Sequence, residues 1–313
     1  MFDISTKSPV IPSIADVLYA NVLLQAVPFF IFLSCYLYAA GKPTLVALRR
    51  RMTKLSILHV FWGIAYFLVV GGIPSLLGAF ESIQARPLYA VLTAMGSYYF
   101  FSALLVATAL THFATTLGTR LLVGILIASS LMIIAMQVSA IFFQVGWAAV
   151  FWSPLNYVAV PPAVVLLSRH LNGRRPSLRL IGILGALFVA TAIAEWAYVA
   201  SPTLTAAQGY AVPAYTRLSL LLFSCAALCV LLKVDLPANP IVAFAAKYSL
   251  SIYCLQAFVL GWTAGLPISP WSKLAMDLAI TSTLAYALHK FIFKDGLLAT
   301  EPAQRPYTVS PIQ

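Results

Sequence analysis

Acidic residues are scarce: Asp and Glu together number eight in 313, and charged residues of both signs make up only 9%. So little charge cannot cover the surface of a water-soluble globule of this length. The sequence also lacks a Gly-x-Ser-x-Gly elbow, a His-Glu-x-x-His pair, a phosphate-binding Gly-rich loop and a paired-Asp motif. Soluble hydrolases and nucleotide-driven enzymes therefore gain no support. Cysteine is sparse too. Cys35, Cys225, Cys229 and Cys254 all lie in apolar runs, with no metal-ligand spacing to histidine, and read as small core hydrophobes. No metal site is expected. The opening MFDISTKSPVIPS has no cluster of positive charge, and basic residues follow the first apolar run, so a cleavable leader is not expected there.

What the chain has in abundance is apolar residues, 62% of the total. They come in continuous runs, each long enough as a helix to cross a hydrocarbon core about 30 Å thick. Continuous runs, without period-two alternation, select helices over a membrane barrel. The expected architecture is an all-α, polytopic transmembrane bundle of about nine spans, at roughly 15–40, 55–78, 89–111, 121–143, 146–168, 180–201, 218–234, 240–266 and 272–293. No linker or low-complexity tract interrupts 1–293, which reads as one domain. The segment 294–313, with three prolines and no apolar periodicity, reads as a short disordered cytoplasmic tail.

The net charge of +11 does not imply a nucleic-acid partner once the placement of the charges is considered. With the N-terminus outside and the C-terminus inside, all of the 19 Lys and Arg except Lys7, Arg86, Arg217 and Lys273 fall on the inner side. That is the positive-inside pattern, with a surface suited to anionic lipid headgroups.

Few residues are candidates for chemistry. Arg49, Arg50, Arg51 and Lys54 stand at the inner mouth of the second span. They read either as a topology anchor or as a site for a multiply phosphorylated cytoplasmic ligand such as coenzyme A, because guanidinium forks match phosphate and an ammonium adds a point charge. Arg174-Arg175 is a weaker version of the same feature. Burying an ionisable group in lipid is costly. Glu195, within TAIAEWAYVA, reads equally as a base (or a carboxylate orienting one) and as a structural partner of Arg217 on the same side. His59, one turn past the basic cluster, reads as a proton carrier near neutral pH or as an interfacial hydrogen-bonding side chain. His112, His170 and His289 fall at inner helix ends, where a headgroup-level histidine is ordinary.

Three stretches together resemble the acyltransferase-3 family, bacterial inner-membrane enzymes that O-acylate surface and secreted polysaccharides. Val27 to Leu37, VPFFIFLSCYL, is similar to the family's VPxFFxLSGYL helix, with Cys35 where glycine is usual. Arg50-Arg51-Met52-Thr53-Lys54-Leu55, followed by Phe61-Trp62, resembles its RRxxRL…FW entry, with Lys54 for the second arginine. Lys247 to Gln256, KYSLSIYCLQ, is similar to RYSLxIYLxH, with Gln256 where histidine is common. A fainter likeness to the family's LWFL helix lies at Ser97 to Phe101.

The resemblance implies an enzyme that takes an acyl group, acetyl in the first instance, from acyl-coenzyme A on the cytoplasmic side. The implied acceptor is a saccharide or lipid-linked oligosaccharide hydroxyl in an exopolysaccharide, O-antigen or related glycan, with polysaccharide-assembly proteins as partners and no bound cofactor. Arg50, Arg51 and Lys54 then bind the donor's phosphates. Ser34, Tyr253 and Gln256 line the reaction cavity, unless the last two serve as helix-to-helix hydrogen bonds. The family's presumed histidine base lies on a helix preceding the one matched at Val27, for which this sequence has no counterpart, so His59 or Glu195 is expected to substitute. Two alternatives stay open: a transporter or flippase of a lipid-linked saccharide, for which Pro161-Pro162 in the fifth span is the motive, and a non-catalytic remnant in a polysaccharide-assembly complex.

Overall fold

The computed structural model describes residues 23–41, 43–85, 98–143, 150–199, 215–234, 240–263, 265–267, 270–288 and 290. Among them every regular element is helical. The α-helices are α1 (Ala26–Ala40), α2 (Leu45–Ala85), α3 (Tyr99–Thr116), α4 (Thr119–Phe142), α5 (Val160–Leu171), α6 (Leu178–Val199), α7 (Leu218–Lys233), α8 (Pro240–Thr263) and α9 (Pro270–Leu288). A short 3-10 turn, Leu23–Gln25, leads into α1, and another, Pro154–Tyr157, precedes α5. The expectations for Lys42, His289 and the tail 294–313, and for the start of the first span, fall outside the described residues.

The apolar runs became helices because lipid leaves the backbone no partner except itself. Among the described residues three helices are long and apolar enough to cross a membrane: Tyr99–Thr116, Thr119–Ala140 and Leu178–Ala197. α4 and α6 present Ile127, Leu131, Leu187 and Ile193 outward. In water such a surface is an aggregation liability, and against acyl chains it is ordinary.

Three expected spans differ; the third, placed at 89–111, is helical from Tyr99 to Thr116 in its described part, with Tyr98 outside the helix. The second, placed at 55–78, is part of a single helix of 41 residues, about 62 Å at 1.5 Å per residue and so about twice the hydrocarbon thickness. The basic cluster is helical in consequence. The fifth, placed at 146–168, is not one continuous helix. Pro161 and Pro162 lie in the first turn of the 12-residue α5, where a missing N–H costs nothing. They start a helix of about 18 Å, too short to cross, where the sequence reading had them interrupting a longer one. α5 ends at Asn172, whose φ of 43° is left-handed, followed by Gly173 at φ 79°. That reversal turns Arg174 and Arg175 out of the helix.

Where the sequence runs without a linker, the helices sort into two compact units: residues 1–64 with 77–236, and residues 65–76 with 237–313. In the first, α1 packs on α3, α5 and α7, and α7 packs on α6. Its core holds Ile31, Phe32 and Cys35 of α1, Phe101 and Ala103 of α3, and Val164 of α5, none more than marginally exposed. Phe30 meets Phe100 edge-on with ring centroids 5.1 Å apart. Buried hydroxyls in α3 are satisfied within their own helix, Ser102 donating to Tyr99 O and Thr111 to Ala107 O, each at 2.7 Å. In the second unit α8 packs on α9, with Tyr248 against Tyr286 at 6.1 Å and Tyr66 against Phe258 at 5.7 Å.

Candidate functional site

The basic cluster divides by helical phase. Arg50 and Lys54, four residues apart and therefore on one face of α2, are exposed, as is Arg49. Arg51 is rotated about 100° from Arg50 and turns inward. Its Nη2 donates to the Ser34 carbonyl at 3.2 Å and forms a close hydrogen bond with Ser34 Oγ. The guanidinium carbon lies 5.2 Å from the centroid of the Tyr38 ring, a cation-π contact. Ser34 and Tyr38 share a face of α1 through the same four-residue spacing, so one arginine clamps both. Burial lowers the guanidinium's pKa from its ordinary value, with Cys35 and Tyr38 opposing, yet an arginine stays protonated at any physiological pH. Arg51 Nε is buried and has no hydrogen-bond partner.

Beyond Tyr38 the chain of contacts continues to α3. Tyr38 Oη lies 3.1 Å from His112 Nδ1, and the rings are 6.3 Å apart. Sequence reasoning passed over His112 as an ordinary headgroup-level side chain; a contact across 74 positions has no local signature. Arg169 of α5 also reaches α3, donating to Thr115 O at 2.8 Å, where the helix's C-terminal carbonyls favour a cation. Replacing Tyr38 by Phe keeps the ring under Arg51 and removes the His112 bond alone. The expected loss is about 1 kcal/mol of stability, read as a small fall in melting temperature with acetyl-coenzyme A affinity unchanged. A severe loss of folded protein would mean that the hydroxyl holds more than His112.

His59 continues the buried face of α2. Arg51, Leu55, His59 and Trp62 recur at helical spacing, and His59 is 8% exposed. Its ring meets Phe101 at 6.3 Å, nearly perpendicular, while Trp62 lies 6.3 Å from Tyr98. The histidine thus faces protein, about 12 Å along the helix from Arg51.

Glu195 sits in a second polar cluster. Arg217 Nε donates to its Oε2 at 2.9 Å. Ser219 donates its backbone N–H to Oε1 at 3.0 Å and its hydroxyl to Oε2 at 2.5 Å. Arg217 is 1% exposed and stacks over Trp196 at 5.7 Å. α7 begins at Leu218, and Arg217 supplies no side-chain cap, so the carboxylate from α6 caps an orphan N–H of the next helix. Of the two readings of Glu195, partner of Arg217 is the one the geometry displays. Beside it, Thr216 Oγ1 donates to Asn156 Oδ1 at 2.8 Å, and Asn156 Nδ2 donates to Val150 O at 3.0 Å. A cavity of about 150 Å³ lined by Ile134, Gln137, Val138, Thr191 and Ala194 abuts Glu195.

In the second unit, Tyr253 is half-buried and Gln256 exposed, both on α8. No group of His, Cys, Asp and Glu among the described residues has the arrangement to hold a metal ion. Asp277, which sequence reasoning missed, is buried on α9.

Helices of membrane-spanning length and apolarity among the described residues point to a membrane protein, and comparison with known proteins defines the class further. A family model described as an acyltransferase domain matches residues 3–289, which marks a membrane-associated acyltransferase. The chain belongs to the acyltransferase-3 family. No curated protein and no solved structure matches it.

Proposed function

We propose that the chain is an inner-membrane O-acyltransferase that moves an acyl group, acetyl in the first instance, from a coenzyme A thioester to a saccharide hydroxyl. The acceptor belongs to an exopolysaccharide, O-antigen or lipid-linked oligosaccharide. An N-terminus outside, followed by one crossing through α1, puts the basic rim of α2 in the cytoplasm, where the thioester is. Family membership supports the acyl-transfer class. The observation that carries the donor side is the division of the basic cluster. Arg50 and Lys54 stand free to meet phosphates, while Arg51, one residue away, turns inward and bonds to Ser34.

A sugar hydroxyl is a poor nucleophile until a base takes its proton, and the acyl carbonyl needs donors where negative charge develops. His59 fits the first role better than Glu195. It faces protein on the same buried stripe as Arg51, whereas both oxygens of Glu195 already accept hydrogen bonds. The prolines that motivated a transporter sit where a helix begins, so they no longer argue for a broken span.

Purified protein in lipid, with a helical circular-dichroism spectrum, is expected to bind acetyl-coenzyme A. Deleting the gene is expected to remove one O-acyl substituent from the secreted glycan, by NMR, while export continues. A folded protein with no measurable affinity for acyl-coenzyme A would end the donor assignment. Unchanged acylation with lost export would point to transport.

A further inference from the structure

α9 carries an acidic side chain that the reaction outlined above does not use. Asp277 lies near the middle of α9, in the run LAMDLAITST, and is 6% exposed. Its Oδ1 is buried without a hydrogen-bond partner, and no ion pair among the described residues involves it. Thr281, one turn on, donates to the backbone oxygen of Asp277 at 2.5 Å and leaves the carboxylate untouched. Asp277, Thr281 and Ala285, spaced by four, form the buried face of the helix, while Leu274 and Leu278 point outward. A helix that buries an acid, a hydroxyl and a methyl and exposes its leucines is arranged for lipid outside and something polar inside. Holding a carboxylate at that depth is costly, and although Lys273 stands one turn back on the same helix, no hydrogen bond or ion pair to the carboxylate among the described residues offsets the cost.

The depth of Asp277 follows from register. After α8, Leu266 N donates to Thr263 O at 3.1 Å; α8 packs on α9, and Tyr248 near the start of α8 meets Tyr286 near the end of α9 at 6.1 Å, as in an antiparallel pair. Nine residues back from Tyr286 is Asp277; nine forward from Tyr248 is Ala257, next to Gln256. Both stand about 14 Å from the tyrosine pair. Asp277 thus shares its level with the amide of Gln256, and the phenol of Tyr253 lies one turn away. Lys247, the one cation of α8, is exposed far toward the tyrosine end.

We propose that Asp277 is the hydrogen-bonding station for a hydroxyl of the saccharide acceptor, an assignment that rests on the acyltransferase reading. A carboxylate lacking partners wants donors, and a hydroxyl brings one without carrying a charge into the bilayer. A metal ion would need several anionic or carbonyl ligands, and no such group exists among the described residues.

The test uses membranes of a host lacking its own copy, supplied with acetyl-labelled acetyl-coenzyme A, with label followed into the endogenous saccharide fraction. Asp277→Leu, of similar size, is expected to transfer about 10- to 100-fold more slowly. Its acetyl-coenzyme A affinity is expected to be unchanged and its melting temperature equal to or above that of wild type, because an uncompensated carboxylate has been removed. Asp277→Asn, which can still hydrogen-bond a hydroxyl, is expected to recover much of the rate. Leu at the wild-type rate overturns the assignment. So does a Leu variant that melts lower and is not rescued by Asn, which would make Asp277 structural, or one with weakened acetyl-coenzyme A binding, which would place it on the donor side. Wild-type membranes that bind acetyl-coenzyme A yet label no saccharide would instead refute the acyltransferase reading, and this station with it.

Discussion

Arg217→Met alone is expected to destabilise the first unit by about 3–5 kcal/mol, the cost of breaking a buried ion pair and leaving the other charge uncompensated. The magnitude exceeds the roughly 0.6 kcal/mol typical of a neutral hydrogen bond between membrane helices because three bonds converge on Glu195. Arg217 Nε, the Ser219 N–H and the Ser219 hydroxyl all end on its carboxylate. Removing the guanidinium strands that carboxylate beside an apolar cavity. Glu195→Gln is expected to cost a similar amount for the opposite reason, since Arg217 at 1% exposure keeps its charge and loses its counter-ion. The double variant should then cost clearly less than the sum of the two, the signature of a coupled pair. Melting in mild detergent, followed by circular dichroism, measures all three. Single variants within 1 kcal/mol of wild type, or a strictly additive double, would reduce the pair to a surface-like contact. Stability lost with the pair also accounts for any lost acylation in these variants, so they report on the scaffold and leave the choice of base to His59 variants.

How far residues alone reach depends on how local the governing physics is. Continuous apolar runs dictate helices, because no other backbone state is satisfied in lipid. Hence the expected span at 121–143 appears as Thr119–Phe142, and that at 218–234 as Leu218–Lys233. The break before α5 was misplaced because two adjacent prolines read as an interruption wherever they fall. Their meaning depends on the start of the helix, which hydropathy does not locate. Arg51's inward turn was invisible for another reason: three consecutive arginines look equivalent until the phase of the helix is known. The Glu195–Arg217 pair was accessible in outline, since charge-based orientation put both at one membrane face. Tyr38 with His112 was not, because nothing local connects residues of α1 and α3. Asp277 escaped through averaging, one acid diluted among apolar neighbours.

The phase of α2 also decides how the donor site must be tested. Arg50→Glu with Lys54→Glu reverses two exposed cations that bond to nothing inside the protein, so insertion and melting temperature should hold. Arg49 and Arg51 remain to keep the inner end of the helix inside. Each charge-assisted bond to phosphate contributes about 1.5–3 kcal/mol, and reversal adds repulsion to the loss. Affinity for acetyl-coenzyme A should therefore fall by at least about 100-fold, and acylation of the glycan should disappear with it. For the wild type, affinity should weaken as salt is raised, because exposed charges are screened over about 10 Å at 0.1 M. Arg51→Glu is the less informative experiment. It puts an acid against the Ser34 carbonyl and under the Tyr38 ring, both of which now hold a guanidinium, so inactivity there reflects disrupted packing as much as lost donor binding. Arg51→Lys separates the two effects: it keeps the charge, drops the planar fork, and should retain folding while weakening the donor's hold. If the Arg50, Lys54 double reversal binds acetyl-coenzyme A like wild type, the rim is a topology anchor and the thioester enters elsewhere.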